Sequence, residues 1–180
     1  IYLAHNMPHI PLHPSKEFAG KSEYGIYGDC VEEIDWNVGR LLQAIKEMDI
    51  DSSTLVMFTS DNGPWLRPDL LENKECGSAF PLKGGKVTSW EGGFRVPFIV
   101  RMPGKIPAKK VSDDFISNMD ILPTFASMAG AHLPQDRVID GEDVSGFLTG
   151  RDTNINRERI FYYYVNRNLQ AVQKGDWKLI

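Results

Sequence analysis

No apolar run in this sequence of 180 residues approaches the length that a membrane-crossing helix needs, so no such helix is expected within it. Cysteine is scarce. Cys30 and Cys76 are the only two, and their separation fits neither a metal-ligand pair nor a redox pair, which excludes a zinc ribbon and a disulfide scaffold. Each is expected as a buried or half-buried free thiol. Charge of one sign is not in excess either: 20 basic against 24 acidic side chains leave a formal net charge of -4, which gives no electrostatic reason for nucleic acid or an anionic membrane as partner. Internal repeats, low-complexity segments and a secretory-signal pattern are also lacking.

What is there is an ordinary globular composition, 42% hydrophobic and 24% charged, at a length that suits one domain with a real core. Tyr27, Val31, Ile34, Val38, Leu41, Ile45 and Met48 recur at alternating steps of four and three, which predicts a long amphipathic helix. Ile26, Cys30 and Leu42 widen its stripe, so the face is expected to pack on a sheet or on several helices. The stretch Thr54 to Thr59 is apolar on consecutive positions, as in a strand covered on both faces. With Ile1-Tyr2-Leu3-Ala4 read as a strand before the helix, the order strand, helix, strand predicts an α/β fold with a mostly parallel sheet flanked by helices.

Phe98 to Arg101 reads as a further strand, bounded by Pro97 and Pro103. Asp120 to Ala129 reads as a short helix with Asp120 near its N-cap, Pro123 in its first turn and Gly130 as its stop. From Ile160 onward, short β-rich runs separated by turn residues predict antiparallel strands. Both ends of the sequence fall inside strand-like runs. The chain is therefore expected to be a piece of a longer protein, with residues 1–155 in the α/β part and 156–180 opening a small antiparallel subdomain.

Three stretches could carry chemistry. His5, His9 and His13 follow the opening apolar run, at the kind of strand end where open α/β sheets bind ligands, and His9 in "MPHIP" is the first candidate; a structural histidine in a proline-rich loop is the competing reading. In "FTSDNGPW", Asp61 and Asn62 offer two oxygen ligands to a hard cation, against the plainer reading of a turn, and a calcium ion wants six to eight. In "PLKGGKVTSWEGGFR", the Walker spacing fails because Phe80 stands where its first glycine belongs and Val87 follows the lysine. That leaves either a glycine-rich loop presenting Lys86 to an anionic group or a flexible surface loop with solvated lysines.

Taken in order, "MPHIP", "YGDCVEEIDWNVGRLL", "TLVMFTSDNGPW", "PLKGGKVTSWEGGFRVPFIVRMPGKIP", "NMDILPTFASMAG" and "DGEDVSGFLTG" resemble the arylsulfatase family of type I sulfatases over nearly the whole chain. The resemblance implies an alkaline-phosphatase-like fold, a bound calcium ion and hydrolysis of sulfate esters by a formylglycine nucleophile made from cysteine or serine. It assigns calcium ligation to Asp61 and Asn62. To His9 and Lys86 it assigns the holding of the sulfate group, with His9 also able to protonate the departing alcohol.

The family's nucleophile motif, Cys or Ser followed by x-Pro-Ser-Arg, is missing. Leu12-His13-Pro14-Ser15-Lys16 imitates its middle with Leu12 at the nucleophile position, and neither Cys30 nor Cys76 fits. By the resemblance, the partner is a sulfated small molecule or sulfated carbohydrate, and the compartment periplasmic, secreted or lysosomal. Trp65, Trp90 and Arg67 are candidates to line a sugar or aryl pocket, with core or rim packing as the alternative for the tryptophans. A phosphatase or phosphodiesterase of the same superfamily is the rival reading, and those enzymes typically carry "DHG", whereas the amide of Asn62 suits a hard cation. A non-catalytic, carbohydrate-binding relative is the rival of another class.

Overall fold

The four-and-three spacing is realised as α1, Gly25–Glu47. In a computed structural model that describes residues 1–67, 76–155 and 158–180, the chain forms two compact units. The first comprises Ile1–Asp51 with Asn62–Val96, the second Ser52–Asp61 with Pro97–Ile180.

In the first unit α1 begins beside a loop that its own Asp29 organises. The buried Asp29 carboxylate accepts the backbone N–H groups of Gly20, Lys21 and Ser22 at 2.8, 3.0 and 2.8 Å. Those bonds, from Ser22 and Gly20 foremost, hold its pKa below the usual aspartate value. At the other end Asp49 takes a left-handed φ of 56° while its N–H bonds to Lys46 O, so the last carbonyls are satisfied as the helix stops. Lys46 in the last turn suits the negative end of the helix dipole.

The wide apolar face is only partly covered within this unit. Cys30 and Ile45 are buried, while Val31 and Leu41 are exposed. The opening residues Ile1-Tyr2-Leu3-Ala4 are exposed and form no strand, contrary to the sequence expectation. A strand is stable only against a partner, and among the described residues none runs beside them.

The second unit contains β1, Val56–Thr59, paired with β2, Phe98–Arg101. The pairing is antiparallel, with Val56 opposite Arg101 and Thr59 opposite Phe98, so the expected parallel arrangement is not what these two strands adopt. Nor is β1 covered on both faces: Phe58 is exposed and its neighbours half-buried, since a two-stranded ribbon cannot enclose its own sides. The short α2, Glu91–Phe94, belongs to the first unit and precedes β2 in the chain.

The core of the second unit lies around α4, Ser145–Leu148, where Val144, Phe147, Leu148 and Ile155 pack together with Phe98, Val100, Ile106 and Ile116 against them. α3, Ile121–Met128, is entered through a 3-10 turn at Asn118–Asp120. Asp120 stands at the N-cap of α3, as expected, but makes no side-chain cap bond to that helix; Ser117 caps the 3-10 turn, and Asp120 closes its capping box by accepting the Ser117 N–H at 2.8 Å. Gly130, at φ 68°, ends the helix as expected. The fully buried Asp120 also accepts from Glu142 N at 2.9 Å and pairs with Arg159, Nη2 to Oδ1 being 2.8 Å.

The C-terminal region is antiparallel as its sequence predicts: β3 (Ile160–Val165), β4 (Asn168–Lys174) and β5 (Trp177–Leu179) form a three-stranded sheet in that order. Asn166 supplies the positive φ that a two-residue hairpin turn needs.

Candidate active site and metal ligands

Each site residue lies in a loop or turn rather than in a helix or strand of its own. At the end of β1 the Ser60 carbonyl accepts the Asn118 side-chain N–H at 3.0 Å, which fixes the strand end just before Asp61. Asp61 itself is exposed, in a bend, and the division between the compact units falls between it and Asn62. Asn62 is half-buried and leads into the buried Gly63.

From Gly63 onward the first unit contains a knot of glycines. Gly63 N donates to Gly93 O at 2.9 Å, Gly92 N to Lys83 O at 2.8 Å, and Lys86 N to Pro64 O at 2.8 Å. A Cβ at Gly63 would overlap the Gly92 carbonyl, one at Gly92 the Gly84 carbonyl, and one at Gly93 the Thr88 carbonyl. Backbone lies directly on backbone, so glycine is required here for closeness rather than for freedom. The segment is close-packed through its backbone at these glycines. The knot docks the Lys86 turn against the turn that carries Asn62.

His9 lies in the same unit, exposed, with peptide bonds before Pro8 and Pro11 that are both cis. Its Nδ1 is 2.7 Å from the Ile10 carbonyl, so Nδ1 carries the proton and Nε2 is left for other partners. The loop is moored to α1 through sulfur: Met7 Sδ accepts the Cys30 thiol at 3.7 Å and the His13 N–H at 3.4 Å. The hydrogen bonds described for His9 are local, to Asn6 and Ile10. Leu12, at the position where the motif would need a nucleophile, is a buried core residue.

Both cysteines are free, Cys30 buried and Cys76 half-buried, as expected. Trp65 is half-buried and donates its indole N–H to Arg67 O at 3.0 Å. Trp90 has Lys83 Nζ 3.5 Å above its ring. Substrate specificity is expected from the sequence to lie in loops such as Leu66 to Phe80, and residues 68–75 of that loop lie outside the described residues.

Among the described residues no group of three or more His, Cys, Asp or Glu converges as a metal site. Asp61 and Asn62 are oxygen donors suited to a hard cation, and they furnish two of the six to eight ligands that calcium takes. What sequence reasoning missed is the supporting layer: Asp29 under its loop, the Asp120–Arg159 pair, and the contact between the glycine pairs at 84–85 and 92–93. The recurrence of two Gly-Gly pairs eight residues apart was the available signal for the last of these.

Comparison with known proteins identifies the family of the chain. The sulfatase family model matches residues 1–131, and a model described as N-sulphoglucosamine sulphohydrolase, C-terminal, matches residues 85–180. The chain is 45% identical to human steryl-sulfatase over 166 residues, 92% of this chain and 28% of that protein. It is 40% identical to the N-acetylgalactosamine-6-sulfatase of Canis lupus familiaris over 178 residues, 99% of this chain and 33% of that protein. A crystal structure of a Pseudoalteromonas sp. sulfatase superimposes with a TM-score of 0.82 at 32% identity, covering 94% of this chain and 33% of the other. The chain thus spans about a third of the length of the curated relatives it matches.

Proposed function

This chain belongs to the sulfatase family, and from that premise we propose that the protein containing it hydrolyses a sulfate monoester, with these residues forming part of the active site. The observation that carries the reading is the 2.8 Å hydrogen bond from Lys86 N to Pro64 O, because it holds the one lysine of the glycine knot's inner turn against the turn of Asn62. The alternatives of phosphate-ester hydrolysis and of a non-catalytic relative lack a comparable support.

The chemistry asks for fixed positive charge at the sulfuryl oxygens and a proton at the leaving oxygen, where charge grows in the transition state. The Lys86 ammonium, on a backbone with no slack, supplies the first. His9 supplies the second through Nε2, since Nδ1–H is already committed to the Ile10 carbonyl and fixes the ring. Asp61 and Asn62 would hold calcium through the carboxylate and the amide oxygen. When bound, that ion supplies a further positive charge beside the sulfuryl group. The family likeness implies a formylglycine nucleophile, and no residue of this chain is assigned to it.

The sulfated substrate is a small molecule or a carbohydrate; the relatives' own names, steryl-sulfatase and N-acetylgalactosamine-6-sulfatase, span both classes. We assign residues 1–155 to the catalytic α/β domain and 156–180 to a small antiparallel subdomain. In the whole domain β1 joins a larger, mostly parallel sheet, a reading supported by its consecutive apolar residues. The test is hydrolysis of an aryl sulfate and an aryl phosphate by the full-length protein and its Lys86→Ala variant, with and without calcium chelation. The expected result is sulfate hydrolysis that falls heavily in the variant and after chelation. Preference for the phosphate, or full activity in Lys86→Ala, would overturn the assignment.

A further inference from the structure

We propose that Thr88 is the residue that positions Lys86, its hydroxyl holding shut a strained turn at whose centre the lysine sits; this rests on the role proposed for Lys86 above. The turn runs from Gly85 to Thr88 and is closed by Thr88 N donating to Gly85 O at 3.1 Å. Its central residues are Lys86 and Val87. Val87 has φ 67°, the left-handed region that this position of a tight turn usually reserves for glycine or asparagine. A β-branched side chain is disfavoured there, and Val87 is exposed, so its own packing does not hold it in that shape.

The compensation comes from Thr88. Its Oγ1 donates to Gly85 O at 2.7 Å and accepts from Gly85 N at 3.3 Å, so one hydroxyl satisfies both backbone groups of the residue that opens the turn. Thr88 is held in turn: its carbonyl lies where a side chain on Gly93 would be. On the far side of the turn, Lys86 N reaches Pro64 O. Without the hydroxyl, the strain at Val87 is relieved by rotating the turn, and the Lys86 side chain leaves its line. Thr88 touches no reacting atom and acts only through Lys86.

The test uses the full-length protein and an aryl sulfate, with T88V (nearly isosteric, no hydroxyl), T88S (hydroxyl kept), K86A and the double variant K86A/T88V, each checked by thermal unfolding. Loss of the paired hydrogen bonds is expected to lower kcat/KM by about tenfold in T88V, with T88S restoring most of it and T88V adding no further loss in the K86A background. If T88V folds poorly, V87G/T88V serves instead, because glycine adopts the turn without strain; recovered turnover there supports the proposal, and turnover as low as in K86A overturns it. Full activity of T88V beside an inactive K86A would overturn the role of Thr88 and leave the sulfatase reading intact. An equal further loss from T88V in the K86A background would also overturn it, since the threonine would then act independently of the lysine. A fully active K86A would remove the reading of the site itself.

Discussion

Replacing Gly92 with alanine separates a packed backbone knot from a flexible loop. The added Cβ would overlap the Gly84 carbonyl oxygen and stand 2.8 Å from both Gly84 C and Lys83 O. Carbon contacts relax only near 3.5 Å, so the Lys83–Gly84 backbone must retreat by roughly 1 Å. Lys83 O is also the acceptor of Gly92 N at 2.8 Å, and the retreat breaks that bond as it opens the space. Overpacking of this kind costs about 1–3 kcal/mol. Because Lys86 follows Gly84 by only two residues, a displacement near 1 Å is expected to lower kcat by about 100-fold. The assay is aryl sulfate turnover by the full-length protein, with thermal unfolding measured in parallel. Gly39→Ala is the control: Gly39 lies within α1 with nothing near its Cβ position, and alanine there is expected to raise stability by about 0.5–1 kcal/mol without touching turnover. A Gly92→Ala protein as stable and as active as the parent would refute the claim that the knot is close-packed and that it places the lysine.

Two further expectations concern the supporting layer. Arg159→Ala leaves the Asp120 carboxylate buried with backbone donors alone, and breaking such a pair is expected to cost about 3–5 kcal/mol, read from urea unfolding midpoints of Arg159→Ala against the parent. Asp29 has a pKa lowered in the folded state by its three N–H bonds, so its contribution is fully present above the ordinary aspartate value and is lost as pH falls through the lowered one. Unfolding midpoints collected between about pH 5 and pH 2 should therefore fall less steeply in Asp29→Asn than in the parent, and superimposable slopes would remove the argument.

The helix α1 was legible because its apolar residues keep helical phase for six turns, and that pattern needs no knowledge of what covers it. β1 and β2 were legible as strands, yet their mutual direction was not, since consecutive apolar residues suggest a strand covered on both faces without identifying the particular strand beside it. The opening apolar residues failed for the same reason: a strand's existence depends on its partner. Asp120 was read as a cap from its local setting, whereas its main partner, Arg159, lies 39 residues away. The candidate ligands Asp61 and Asn62 and the candidate bases and cations were found by residue type and family likeness. The glycine contacts around Lys86 were signalled only by the recurrence of the Gly-Gly pair, because a glycine chosen for mobility and one chosen for closeness are written with the same letter.

One chain of contacts in the second unit carries a mechanical meaning. Arg159, immediately before β3, grips Asp120; Asp120 closes the turn that begins at Asn118; and Asn118 holds the Ser60 carbonyl beside Asp61. The C-terminal hairpins are thus a brace rather than an appendage, with their foot on the turn whose Asn118 holds the end of β1 just before Asp61. A lesion that loosens β3 would slacken that turn.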